Sequence, residues 1–389
     1  MSIARPTSVE DLLAAMVGFN TVNSSVSGDP FTELKLAEYL EGLATSYGFA
    51  ARRLPVAGRS HNLLVTWAAS PGAPWLLFDS HLDTVRVDGM TIDPLAAGIR
   101  DGRMYGRGTC DTKGTGAAML WALRQYADSD RQPNSIAILF SVDEEFGMNG
   151  VRSFITNDYA ALGVRPRGAI VGEPTMLRPI VAHNGCVRWR ITTTGVAVHS
   201  SDPSRGVSAI RKMVDVMAAI EGRYIPALTR RHPLTGKAQC SINIIRGGQQ
   251  INVIPDECTI DLDRRVIPGE ESADVMPTVQ AILDALTAAD PALHVTQTPI
   301  FSCPPLSPAA DASFLGIVQR VLGEMRLPAE AVGGPYATDG GDLAVTGLPI
   351  VVIGPGDVAQ AHTKDEWLAL DQLHGGVELY RRLMQADLG

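Results

Sequence analysis

Two kinds of apolar spacing alternate along the first part of the chain. The stretches LLAAMVGF and AAMLWALRQY carry helical patterning. The short runs HNLLVTW (61–67), WLLFDS (75–80), SIAILFS (135–141) and GAIVG (168–172) are nearly unbroken in apolar residues and predict buried strands. Such alternation over residues 1 to about 178 predicts an α/β domain with a mostly parallel sheet. From about 180 to 294 the texture changes. VRWRITTTG (187–195) and CTIDLDRRV (258–266) alternate apolar with polar, as strands with one wet face do, and they flank helical stretches near 207–221 and 271–289. This zone reads as a small α+β insert. The tail returns to α/β texture with a helix near 311–325, the strand LPIVVIG (348–354) and a closing helix near 371–386. No internal repeat or low-complexity linker interrupts it. The simplest organisation is a first domain, 1–178 and 295–389, interrupted by a second, 179–294.

Composition narrows the class without changing that picture. A chain of 389 residues is too long for one small core, so two domains are expected. With 45% hydrophobic and 19% charged residues it has the make-up of an ordinary soluble globular protein. A net charge of −9 with no basic stripe argues against nucleic acid as a partner. No window approaches the roughly 20 apolar residues of a membrane span, which argues against a membrane partner. The opening MSIARPTSVEDLLAAM lacks a cationic region followed by a long apolar one, and Ser8 with Asp11 reads as a helix N-cap with an acid in the first turn. Five cysteines (110, 186, 240, 258, 303) form no CxxC and are odd in number, so reduced thiols in a cytoplasm are expected.

Chemistry gathers where the apolar runs end. SIAILFSVDEEFG empties a buried run into Asp143, Glu144 and Glu145 before Gly147 breaks the chain. Neighbouring like charges repel, and burial makes each costlier to ionise, so a bound cation is the first candidate for compensating them. A solvated turn is the plainer alternative. WLLFDSHLDTV runs into His81 and Asp83; YGRGTCDTKGTGAAML sets Asp111 in a Gly-rich turn that opens a helix. GAIVGEP delivers Glu173, and IVVIGPGDVAQAHTKDEW offers His362. Each alone has an ordinary reading: a strand-end histidine capped by Asp83, a helix cap at Asp111, an exposed Glu173, a surface His362. Ligands of open α/β sheets bind at the carboxyl ends of strands, and these five loops can converge there. A His/Asp/Glu set without thiolates suits zinc, cobalt or manganese in a site with open positions, and a pair of ions bridged by one carboxylate uses this many acids well.

SHLDTV, YGRGTCDTKG, DEEFG, GEPT and GPGDVAQAHTKDEW resemble the metal motifs of the M20 metallopeptidases, dinuclear zinc hydrolases that include acetylornithine deacetylase, succinyl-diaminopimelate desuccinylase, carboxypeptidase G2 and aminoacylase-1. The motifs run in matching order over nearly the whole chain, insert included, and GRGTCD with GPG…QAH..DE leans toward acetylornithine deacetylase. The resemblance implies a zinc-exopeptidase-like catalytic domain, two divalent ions (zinc first, cobalt or manganese as alternatives) and a homodimer formed through a lid domain, the insert. It implies that Asp111 bridges the ions, with His81 and Glu173 on one and Glu145 and His362 on the other. Glu144 is then the general base, taking a proton from the water between the ions and later giving it to the leaving amine. Asp83 accepts the other ring N–H of His81. The Asp111–Thr112 peptide is expected to be cis.

The same resemblance assigns parts of the insert. GVAVHSSDPSRGVSAI resembles the dimerisation motif whose histidine, here His199, reaches across the dimer to stabilise an oxyanion; read alone, it is a strand-to-helix loop histidine. INVIPDECTIDLDRR matches the segment whose Asn252 and Arg265 grip the substrate carboxylate. Arg264, directly adjacent, leaves the assignment open by one residue, because strand neighbours face opposite sides. GGPYATDGGD (333–342) departs from a Gly-Gly-Thr turn and leaves Thr338 to line the pocket. Lys113 and Arg107 are read as loop supports, and Cys110 as packing. The function implied is a metal-dependent amide hydrolase removing an acyl group from an N-acyl amino acid. The alternatives are a dipeptidase or carboxypeptidase of the same family and a catalytically silent binding protein.

Overall fold

Ser8 caps the first helix, Val9–Val17, its hydroxyl accepting the N–H of Asp11, and Leu12, Leu13, Met16 and Val17 below it are fully buried. The computed structural model describes residues 5–389; the first four residues of the opening stretch lie outside them. The chain divides into two units. The first runs through Val181 and resumes over Pro308–Val332 and Thr338–Gly389; the second is Ala182–Ser307 with Gly333–Ala337.

The first unit is built on a mixed eight-stranded sheet. Its order is Ala50–Pro55, His61–Trp67, Ser135–Ser141, Trp75–His81, Ala169–Val171, Ile350–Val352, Ile180–His183 and Val332–Gly334, the last two strands running past the first unit's limits at Val181 and Val332. The four central strands, Ser135–Ser141 through Ile350–Val352, pair in parallel. These are the unbroken apolar runs, because strands covered on both faces need no polar alternation. Antiparallel strands flank them on either side. One cover is the helix Lys113–Ala127, buried along nearly its whole length, with the closing helix Leu370–Gln385. Phe78 of the sheet and Tyr380 of the closing helix meet edge to face, ring centroids 5.7 Å apart, a contact that contributes about 0.5–1.5 kcal/mol beyond burial.

The second unit is a four-stranded antiparallel sheet in the order Gln239–Gly247, Glu257–Val266, Gly185–Thr194, His294–Cys303. Period-two alternation gives it two unlike faces. Val187, Trp189, Ile191, Ile260 and Leu262 pack with residues of the helices Ala209–Ala219 and Val275–Ala289 in one core. The other face carries a charge ladder, Arg188–Asp263 at 2.9 Å and Arg190–Asp261 at 2.7 Å. The strand His294–Cys303 lies at one edge and takes the second unit past residue 294, to Ser307. Its sequence, HVTQTPIFSC, lacks clean alternation and includes a proline, which an edge strand tolerates.

Candidate metal centre

The four parallel strands all point their carboxyl ends the same way, and each end carries one of the singled-out residues. His81 is the last residue of its strand. Glu144 and Glu145 follow the strand that ends at Ser141, Glu173 follows Val171, and His362 lies in the loop beyond Val352. Asp111 enters from the side, joined by a cis peptide to Thr112 just before the helix Lys113–Ala127. Asp143 and His362 have left-handed backbone, φ 63° and 61°, a conformation that turns their loops sharply.

These side chains converge on Asp111. One of its oxygens lies 3.0 Å from His81 Nε2 and the other 3.4 Å from His362 Nε2. His362 Nε2 is also 3.0 Å from Glu145. Glu173 and Glu144 each approach His81 Nε2 to 3.9 Å. His81, Asp111 and Glu145 alone bring ligand atoms within 4.8 Å of one another. His81 is buried, whereas the His362 side chain is 56% exposed, so the centre opens on the His362 side. A cavity of about 380 Å³ lies there, bounded by Glu145, His362, Val85, Phe146, Arg86 and Lys364.

Electrostatics favour a cation at this candidate site. Burial raises the pKa of Glu144 and Glu173 well above the usual carboxylate range, and the charge of Asp111 adds to the rise at Glu173. Burial and Asp111 push Glu145 up to about 7. Burial opposes ionising Asp111 too, but the two imidazoles hold it well below its ordinary value. Asp111 and Glu145 lift His362 to about 10. Four crowded carboxylates thus have only two imidazoles to compensate them, and Glu145 Oε1 is buried without a hydrogen-bond partner. An oxygen and imidazole donor set with one carboxylate facing both histidines fits divalent ions of the zinc, cobalt and manganese kind.

The surrounding shell corrects one expectation and adds residues the motifs did not single out. His81 Nδ1–H donates to the backbone carbonyl of Asp83 at 2.9 Å; the Asp83 carboxylate is farther, at 3.6 Å. That carboxylate instead accepts the N–H groups of Glu144 at 3.0 Å and Glu145 at 3.1 Å, so Asp83 sets the backbone of the acidic loop. Asn23 donates from one amide to both Asp83, 2.7 Å, and Asp143, 2.9 Å. Asp143, the first of the three acids, is buried and turned to Arg59 and Asn149. Glu366 accepts from the backbone of Gly108, Cys110 and Asp111 and pairs with buried Arg107 at 2.6 Å. Lys113 donates to the Phe19 carbonyl.

A family model described as Peptidase family M20/M25/M40 matches residues 77–386, a span that contains every one of these side chains except Asn23 and Arg59. The chain belongs to peptidase family M20/M25/M40. An acetylornithine deacetylase of Pasteurella multocida is 31% identical over 386 residues, covering 96% of each chain. Among solved structures, an M20 family metallo-carboxypeptidase from Sulfolobus solfataricus superposes with TM-score 0.80 at 15% identity, over 98% of this chain and 99% of that one. A tripeptidase from Staphylococcus aureus gives 0.77 at 19% identity, with 97% of each covered. As a hydrolase of the M20 family, the chain has its metal-ligand candidates in the first unit.

The other singled-out residues of this M20 chain are more scattered. In the second unit His199 pairs with Val253, and Ser200 N–H donates to the Asn252 carbonyl, so His199 and Asn252 are neighbours. Arg265 lies toward the far end of Glu257–Val266, opposite Cys186 and Gln239. At about 3.3 Å per residue that end is roughly 26 Å from Glu257. Asn252 lies outside that strand, in the turn that leads into Val253–Ile254. The adjacent arginines differ in setting: Arg264 is 3% exposed and paired with Glu270 at 2.9 Å, whereas Arg265 is on the charged face beside Asp263. Thr338, expected to line a pocket, is 1% exposed, and its hydroxyl accepts the Gly340 N–H as cap of the short helix Asp339–Leu343.

Proposed function

We propose that the chain hydrolyses the amide bond of an N-acyl amino acid, as an acetylornithine deacetylase-like enzyme. The observation that carries this reading is the split of the Asp111 carboxylate between two histidines with Glu144 beside them. Two divalent ions, zinc first, would be held by His81 and Glu173 on one side and by His362 and Glu145 on the other, with Asp111 between. When bound, such ions acidify water and polarise a carbonyl oxygen. Glu144 accepts the proton of the attacking water and delivers it to the leaving nitrogen, and its burial favours the protonated form that the second half of this task needs. Asp83 and Asn23 fix the Glu144 backbone for that transfer. The cavity beside Glu145 and His362 is of small-molecule size, and Arg86 and Lys364 on its wall favour a substrate that carries a carboxylate.

Full-length similarity to acetylornithine deacetylases supports the substrate class. The reading includes a cytoplasmic homodimer formed through the second unit, with His199 serving the oxyanion and Asn252 and Arg265 the substrate carboxylate. Their placement on separate elements, Asn252 in the turn before Val253–Ile254 and Arg265 toward the far end of Glu257–Val266, supports a dimer in which two copies hold the carboxylate. Among the described residues no helix is long and apolar enough to cross a membrane.

The test is a panel of N-acetylornithine, N-acetylcitrulline, N-acetylmethionine, N-succinyl-diaminopimelate and several dipeptides, given to the zinc-loaded protein. Turnover of an acyl amino acid is expected, reduced about 10²–10⁴-fold in Glu144→Gln with metal content unchanged. Cleavage of dipeptides alone, or full activity in Glu144→Gln, contradicts the reading.

A further inference from the structure

Two of the five cysteines meet. Cys186 and Cys303 are direct cross-strand partners on Gly185–Thr194 and His294–Cys303, and their Sγ atoms are 3.6 Å apart. Alternation puts Cys186 on the same face as Arg188 and Arg190, opposite the core residues Val187, Trp189 and Ile191. The pair therefore stands on the charged face of the sheet, although each residue is only 1% exposed. Arg265 is the partner of Cys186 on its other side, so Cys303, Cys186 and Arg265 form one row across three strands.

This setting differs from that of the other thiols. The hydrogen bond to Cys303 and the guanidinium groups of Arg188 and Arg265 bring Cys186 below the ordinary thiol value, against the effect of burial. Burial pushes Cys110, Cys240 and Cys258 the other way. The pair also sits where strands end. Gly185 opens one strand, Cys303 closes the other, and Pro304 and Pro305 follow it. Strand ends open more readily than strand centres, which gives a small oxidant a way in. A Cβ on Gly185 would lie 2.4 Å from the Cys303 carbonyl, so glycine is what lets the two backbones come this close beside the pair.

We propose that Cys186 and Cys303 are a redox modification site, a thiol pair that a hydroperoxide converts to a cross-strand disulfide beside Arg265. The Cys186 thiolate attacks the peroxide, the O–O bond breaks, and an alcohol (or water) leaves, giving a sulfenic acid at Cys186. Cys303 attacks that sulfur and loses its proton, the S–O bond breaks, and water departs. Two electrons pass from the thiols to the peroxide. The sulfurs need to close by about 1.5 Å to reach bonding distance. Because Arg265 shares the row, the bond also shifts the setting of that guanidinium. Its effect on substrate binding rests on the function proposed above.

The full-length, zinc-loaded protein is treated with tert-butyl hydroperoxide, quenched in acid, and alkylated under denaturing conditions. Wild type is expected to drop from five alkylated cysteines to three, with a linked peptide pair mapping to Cys186 and Cys303 and full recovery in dithiothreitol. Cys303→Ser is expected to form no such link and instead to trap dimedone at Cys186. Retention of all five alkylatable cysteines in wild type, or a disulfide between other positions, overturns the site. For the effect on Arg265, oxidation should raise KM of the accepted acyl amino acid several-fold with kcat little changed. An unchanged KM with the disulfide present overturns that coupling alone.

Discussion

Glu366 meets no ligand candidate's side chain, yet three residues of the loop that delivers Asp111 (Gly108, Cys110 and Asp111 itself) hang on its carboxylate through backbone N–H groups. Its charge is balanced by buried Arg107. Glu366→Gln leaves the volume and removes the charge, so Asp111 loses its fixed position. Zinc affinity measured by chelator competition should fall about 10–100-fold, the usual effect of losing a group that orients a ligand. Wild-type affinity in this variant would show that the loop holds Asp111 unaided. At this scale the sequence was legible where chemistry sits at a strand end, as with His81, Glu145 and Glu173. It was opaque where a residue acts through backbone groups distant in sequence. Asn23 and Glu366 look like any polar loop residues until the fold brings them to Asp83 and Asp111. Asp83 was singled out for its carboxylate, but the backbone carbonyl of the same residue meets His81.

The element that presents Asp111 depends on a close helix–loop approach. A Cβ at Gly114, in the first turn of Lys113–Ala127, would lie 2.2 Å from the Thr109 carbonyl and 2.6 Å from Leu368. Gly114→Ala forces that turn away from the loop and should cost about 3 kcal/mol in urea unfolding. Gly323, near the end of the helix Ser313–Glu324, has nothing within 4 Å of its missing Cβ, and Gly323→Ala should stabilise by about 0.5–1 kcal/mol. Equal effects at the two glycines would contradict this reading of the packing. The central strands and principal helices were legible because burial on both faces, or on one helical face, leaves a strong apolar period. The helix Leu34–Ser46 and the strands Ala50–Pro55 and His294–Cys303 carry mixed patterns, AARRLP and HVTQTPIFSC among them, and were not anticipated. Flanking strands need only one apolar face, and sometimes little of that.

At the scale of the molecule, the first unit gathers the ligand candidates and the second carries His199 and Asn252 at a two-stranded ribbon and Arg265 on the four-stranded sheet. Family motifs name those three together, but spacing along a chain does not reveal that Asn252 sits in a turn beside His199 while Arg265 stands in a different sheet; the pairing register shows it. The central claim is metal-dependent hydrolysis at the cluster around Asp111. Its most direct test is a zinc titration of chelator-stripped protein, read as turnover of the accepted acyl amino acid. Turnover should be absent without metal, rise to a plateau at about two zinc ions per chain, and fail to appear in Asp111→Asn. Turnover in the stripped protein, or an unchanged titration in Asp111→Asn, would contradict it.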